Sequence, residues 1–274
     1  MKMDRAKAKA AAEKLVAKMT LEEKASQLRY DAPAIERLHI PAYNWWNEAL
    51  HGVARAGTAT VFPQAIGLAA ACDPDLMEEI GKVISVTGFG PHRLGAPGRP
   101  AWFFEREKYG GILCDIGSHQ LEQFLFYAKE EDATVTASRI ANFAHPEYPE
   151  LEDFGDCQLT GKKGTAGYFR LDWFTPDGLR TWGDGRMFIQ GTNGFIEVRK
   201  YVNLASEKDG GCHVYVVNDR EEKYINAAGK TGYPFFGQLI LDCLNRTENA
   251  MTQEHAFKAA ELSLSAQEKA VRLK

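Results

Sequence analysis

Between Ala133 and Ala227 the chain repeats one texture seven times: a short run rich in β-branched and aromatic residues, closed in most cases by Gly, Asp or Asn. The runs are ATVTASRIANFA from Ala133, DCQLTG from Asp156, TAGYFRLDWFT from Thr165, RMFIQGT from Arg186, GFIEVR from Gly194, HVYVVN from His213 and KYINA from Lys223. Such runs fit half-buried strands, and their punctuation fits turns. Thr192-Asn193-Gly194 reads as a hairpin turn. An eighth strand is expected at Lys82–Phe89, KVISVTGF. These runs read as a series of strand candidates joined by turns, with helical patterns on either side.

The remaining segments read as helices and loops. Thr20-Leu21-Glu22-Glu23 has the spacing of a capping box, which predicts a helix starting there. Asp73-Pro74-Asp75 pairs an N-cap with proline at the first helical position, which predicts a helix from about Pro74 toward Gly81. Asp115–Ala128 has helical periodicity. Two helices are expected at the end, over Pro234–Asn245 and over Thr252–Leu273, the second capped by Thr252. The texture changes near residue 82, and the domain boundary is placed there, giving segments 1–81 and 82–274.

Length and charge narrow the function. A chain of 274 residues is ample for a buried core, and a net charge of −4 with no Lys/Arg block argues against nucleic acid as a partner. No apolar run approaches the length of a membrane span, and the charged N-terminus lacks the features of a secretory signal. Five dispersed cysteines with no C-x-x-C pair argue against a disulfide framework and against a zinc site. A cytoplasmic location is the expectation.

Asp115 and His119 are the leading chemical candidates. Residues i and i+4 on a helix share one face. A carboxylate beside an imidazole can orient it and set its pKa, which suits proton transfer. Gly110 and Gly111 before them let the backbone turn sharply or approach a ligand. Spacing alone also fits an N-terminal capping aspartate with an unrelated surface histidine, and that is the plainer reading. For Trp102, Phe103 and Phe104 packing is the preferred reading.

The segment HRLGAPGRPAWFFEREKYGGILCDIGSHQLEQFLFYA, with its G-G-x-x-x-D-x-G-x-H run, resembles the second domain of the Gfo/Idh/MocA oxidoreductases. So does the tail TQEHAFKAAELSLSAQEKAVRL. The likeness runs from about Gly81 to Leu273. It implies an α+β domain whose open, mainly antiparallel sheet, flanked by helices, holds a sugar or polyol and often forms a homo-oligomer through the sheet face. It implies NAD(P) as cofactor, with His119 as proton donor or acceptor and Asp115 contacting hydroxyls or orienting the histidine. Arg99, Trp102 and Tyr109, in the loop before the helix, are candidate pocket residues. In that family the dinucleotide lies on an N-terminal domain with G-x-G-x-x-G. Gly88-Phe89-Gly90-Pro91-His92-Arg93 has two of those glycines but no third, and Gly161, Gly164 and Gly167 read as a hairpin turn. No cofactor-binding residue and no metal ligand is assigned, so a truncated or chimeric oxidoreductase is expected.

The stretch from about Lys14 to Ser85 resembles instead the start of a family 3 glycoside hydrolase, β-xylosidase or β-glucosidase branch. The phrases NWWNEALHGVA and TVFPQAIGLAA carry the likeness. It implies an incomplete TIM barrel, with Glu48 near the terminal sugar and Trp45, Trp46 and His51 on the wall of its subsite. The nucleophile aspartate of that family has no counterpart; Asp172-Trp173 is a look-alike inside a strand. At the junction, Val83–Ser85 could extend a helix or begin a strand, and the strand is expected to win because a sheet can pair with it. Two further function readings stay open: a non-catalytic carbohydrate-binding scaffold and a β-glycosidase.

Overall fold

The runs that alternate in sequence form one sheet. The structure, a computed structural model, describes residues 5–28, 31–44, 74–205, 211–230 and 235–274. Strands β3 (Val83–Pro91), β4 (Ala133–Ala141), β5 (Phe154–Gly161), β6 (Ala166–Asp172), β7 (Arg186–Gly191), β8 (Gly194–Arg199), β9 (His213–Asn218), β10 (Glu222–Asn226) and β11 (Val271–Arg272) pair in the order β10-β9-β8-β7-β3-β6-β5-β4-β11. Two neighbouring pairs are parallel, β3 with β6 and β4 with β11, and all others are antiparallel. Thr192 and Asn193 make the turn between β7 and β8.

Side chains alternate between the two faces of each strand, and burial follows. On β3, Val86, Gly88 and Gly90 face inward while Thr87 and Phe89 are only half-buried. The inward face carries the core: Phe169 and Leu171 of β6, Leu159 of β5, Ile189 of β7 and Ile196 of β8 are buried. After the short α4 (Arg106–Tyr109), helices α5 (Ile112–Asp115) and α6 (Gly117–Tyr127) cover it with Ile112, Leu113, Leu121, Phe124 and Leu125. Beyond α7 (Phe235–Asn245), helix α8 (Gln253–Glu268) packs on α5, α6 and β4, contributing Ala259, Leu262 and Ala266.

The junction follows the strand expectation. Helix α3 (Pro74–Glu79) stops, Gly81 takes φ +73°, and β3 starts at Val83. Ile80 is buried in the core, and its carbonyl accepts from the Asn193 amide at 2.9 Å. The expected N-cap Asp73 lies outside the described residues. So do Trp45, Trp46, Glu48 and His51.

Two expectations are corrected. The final helix ends at Glu268 rather than reaching Leu273, because Val271 and Arg272 pair with Arg139 and Ile140 at the free edge of β4. The helix from Asp115 is not continuous: α5 ends at Asp115 and α6 begins at Gly117, although Ile116 between them keeps helical dihedrals of −77° and −32°.

Residues 5–44 belong to a separate unit. It holds α1 (Arg5–Val16), α2 (Leu21–Ser26) and a short ribbon of β1 (Asp31–Ala32) with β2 (Tyr43–Asn44). The expected capping box is present: Thr20 Oγ1 accepts from the Glu23 amide at 3.2 Å, and Glu23 Oε2 accepts from the Thr20 amide at 2.8 Å. Among the described residues no helix is long and apolar enough to cross a membrane.

Candidate functional site

The helix bearing Asp115 and His119 is fixed at its start. Gly110 and Gly111 have φ of +83° and +95°, a region that disfavours any side chain, and a Cβ on Gly111 would also collide with the Gln267 amide. The two glycines therefore serve a sharp turn and a close approach to α8. Gln267 Oε1 accepts from the Leu113 amide at 3.0 Å, and its Nε2 donates to both oxygens of Glu152 at 3.1 Å. Glu152, fully buried, also accepts from the Ile112 amide at 2.9 Å and pairs with Arg106 at 3.1 Å. A carboxylate at the first turn satisfies an orphan amide and complements the helix dipole.

Asp115, His119 and Gln123 then follow at intervals of four along one face, with backbone bonds that run nearly unbroken across Ile116. The two glycines of β3 explain how α6 lies so near the sheet. A Cβ on Gly88 would overlap Gln120, and one on Gly90 would meet Leu171, Ile116 and Gln120 at 3.1–3.3 Å. They admit a helix rather than a phosphate. The other glycine cluster is a hairpin: Gly161 and Gly164 close the turn between β5 and β6 through a 2.9 Å backbone bond.

Opposite the helix face stands a wall of rings built from three loops. Arg93 ties one of them down, donating to the carbonyls of Pro176, Leu179 and Thr181 at 2.9, 2.8 and 3.2 Å. The Tyr201 ring lies 4.7 Å from Trp182, Trp182 lies 4.5 Å from His92, and His92 lies 5.4 Å from Trp173. The Arg99 guanidinium closes the row, 4.8 Å from the Trp173 ring and 4.3 Å from the Phe103 ring. These are distances at which a cation and a ring attract.

The wall and the helix meet through charge. Burial raises the Asp115 carboxyl to about 6, and the Arg99 guanidinium opposes that rise. Burial lowers the His92 imidazole to about 3; His119, Arg99 and Lys200 add to the effect, and its Nδ1 sits 2.9 Å from the Gly90 carbonyl. Lys200, pushed down to about 8 by burial, donates to Gln123 Oε1 at 3.0 Å. An acid near neutrality, a histidine one turn away and a neutral buried imidazole form an arrangement suited to moving a proton to or from a hydroxyl.

The structure thus brings Asp115, His119 and Arg99 together. Trp102 is half-buried with its ring 6.2 Å from Phe103. Tyr109 is buried, and its hydroxyl donates to the Glu150 carbonyl at 3.3 Å and accepts from the Glu152 amide at 2.9 Å, so it braces the loop leading to α5. Five residues of the wall went unassigned from sequence: His92, Trp173, Trp182, Lys200 and Tyr201. Extending the helical face one more turn to Gln123 was the available signal; nothing in the sequence announces which loops would meet it. Among the described residues no cluster of three His, Cys, Asp or Glu is placed to hold a metal ion.

Comparison with known proteins agrees with this fold. Residues 77–197 match the model of the GFO/IDH/MocA C-terminal domain. A 1.25 Å structure of an oxidoreductase-like protein from Erwinia carotovora atroseptica is 50% identical, with a TM-score of 0.71 over 77% of this chain and 62% of that one. The aldose-aldose oxidoreductase of Caulobacter crescentus, solved with glycerol, shares the fold at 18% identity and a TM-score of 0.55, over 75% of this chain and 59% of that one. A probable exo-1,4-β-xylosidase of Aspergillus terreus is 43% identical over 102 residues, which is 33% of this chain and 13% of the xylosidase. The chain therefore spans about three fifths of the oxidoreductases it matches and about an eighth of the xylosidase.

Proposed function

We propose that the chain carries the substrate side of a Gfo/Idh/MocA-type oxidoreductase that acts on a sugar or polyol. The observation that carries this reading is the pairing of Asp115 and His119 on one helix face against Arg99 and the neutral His92. His119 exchanges the proton of the reacting hydroxyl. Asp115, held near 6, takes a hydroxyl or orients the imidazole. The half-buried ring of Trp182 offers a flat apolar surface to the carbon skeleton, and Trp173, buried beside His92, helps exclude water.

The partner in the redox step would be NAD(P), as the family resemblance implies. The described glycine clusters do not fit it: one accommodates α6 and the other is a hairpin turn. The described residues therefore bind the substrate and move its proton, and the chain by itself is a truncated or chimeric enzyme that binds substrate without turning it over. The xylosidase likeness supports reading residues 1–81 as a fragment of a family 3 glycoside hydrolase, with residues 82–274 as the polyol-binding domain.

Calorimetric titration of the purified full chain with polyols, followed by turnover assays with NAD+ and NADP+, tests this. Polyol binding without turnover is expected. His119→Ala should retain binding within about threefold and should also remove chemistry in any assembly that restores turnover. Turnover by the chain alone would overturn the substrate-only reading, and cleavage of a chromogenic xyloside abolished by Glu48→Ala would favour a glycosidase instead.

A further inference from the structure

The helix face is longer than the proton-transfer pair needs. Three rungs lie along that face: Arg99 acts on Asp115 through its charge, His119 acts on His92 in the same way, and Lys200 donates to Gln123 Oε1 at 3.0 Å. The rungs are spaced by one helical turn, about 6 Å. Two of them have partners with evident roles in the reaction proposed above. The third does not.

At that third rung the donors exceed the acceptors. Gln123 is 2% exposed, its Oε1 is taken by Lys200, and its Nε2 has no acceptor among the described residues. The Lys200 ammonium has only that amide oxygen as a described hydrogen-bond partner, while Glu122 and Cys212 act on it from further away. Glu122 is itself engaged, accepting from His255 Nε2 at 3.2 Å. A buried donor left unmatched is disfavoured, because it has given up water and gained no acceptor. A half-buried ammonium beside it would gain more from an anion than from a neutral hydroxyl. Trp173, 4% exposed, adds another unmatched donor, its Nε1, along the same wall.

We propose that Lys200 and Gln123 form a carboxylate subsite one helical turn beyond His119, so that the polyol taken here is a sugar acid, of the uronic or aldonic class. The inference rests on the reading of the Asp115–His119 face as a polyol site. A turn of helix sets the carboxylate several carbons from the hydroxyl at His119, which excludes short 2-hydroxy acids. A single ammonium with one amide matches a singly charged carboxylate better than a dianionic phosphate.

Titration of the full chain at pH 7 and fixed ionic strength tests this with D-glucuronate, D-gluconate, D-glucose, myo-inositol, L-lactate and D-glucose 6-phosphate. The acids of glucose are expected to bind at least tenfold more tightly than glucose or inositol, with lactate no better than the neutral compounds. Lys200→Met should collapse the ratio of glucuronate to glucose affinity toward one, and Gln123→Glu should invert it. Lys200→Arg should keep the preference, which separates loss of charge from loss of fold. Equal affinity for glucuronate and glucose in the wild type, an unchanged ratio in a folded Lys200→Met, or tighter binding of the phosphate would each overturn the carboxylate subsite while leaving the polyol reading standing. Failure of every compound to bind would overturn that reading too.

Discussion

Residues 5–44 and residues 74–274 both contain helices that local sequence announces clearly, yet among the described residues the continuous apolar cluster lies in the second set. In the first, α2 has a complete capping box and no buried residue, and Leu21 and Leu28 are 77% and 78% exposed, while Ala32 and Ile35 are buried. The described contacts of the first set include the surface pair of Arg37 with Glu23. In the second, more than two dozen side chains form one apolar cluster between a sheet and three helices. The contrast separates two things that a good local signal can mean. Capping and propensity say where a helix starts; apolar groups brought from distant segments decide whether it contributes to stability.

That contrast can be broken by experiment. Leu171→Ala removes a fully buried side chain from the strand next to β3 and should destabilise the second unit by about 2–5 kcal/mol. Leu28→Ala in the first unit should change stability by less than about 0.5 kcal/mol. Urea unfolding of the two variants makes the comparison, and similar shifts would show that Leu28 is packed after all.

Asp115→Asn sharpens the contrast from inside the second unit. The folded carboxyl titrates near 6, above its ordinary value of 3.8. The native state then binds more protons between those values, so its stability falls as pH rises from about 4 to 6 and the penalty is complete above that. Removing the charge should stabilise the fold at pH 7 by about 2–3 kcal/mol and do nothing at pH 3.5. A pH-independent difference between variant and wild type would mean that Asp115 is not held protonated by its surroundings.

Thr20→Ala is expected to have the smallest effect. Loss of the cap should raise amide exchange within α2 by about fivefold, equivalent to ~1 kcal/mol, without altering exchange in β3, β6 or β7. Protection lost in those strands would contradict the division into two units.

The sequence was informative where side chains alternate. All seven runs between Ala133 and Ala227 became strands, and KVISVTGF became β3, because a two-residue period leaves no competing way to bury Val86, Phe169 and Ile189 together. The caps at Thr20 and Thr252 were legible because they are interactions between residues three apart. The edge strand β11 was not, since two residues carry no period and their pairing depends on a free edge elsewhere. The wall of the site was illegible for the same reason. His92, Trp173, Trp182 and Lys200 come from loops whose meeting is decided by Arg93 and by sheet order rather than by spacing. The spacing of the two β3 glycines shows that they are not a dinucleotide motif, but only the packing shows what they are for: room for α6.

The bond between Leu113 and Gln267 joins residues 154 positions apart. Gln267 and Glu152 together secure the first turn of α5, so the helix bearing Asp115 cannot reach its final anchorage until the chain has been made through α8. During synthesis the strands β3 to β8 can pair while that helix still lacks its brace. The helix face bearing Asp115 and His119 is consequently among the last parts of this unit to mature, and a nascent chain would acquire its sheet well before that face was anchored.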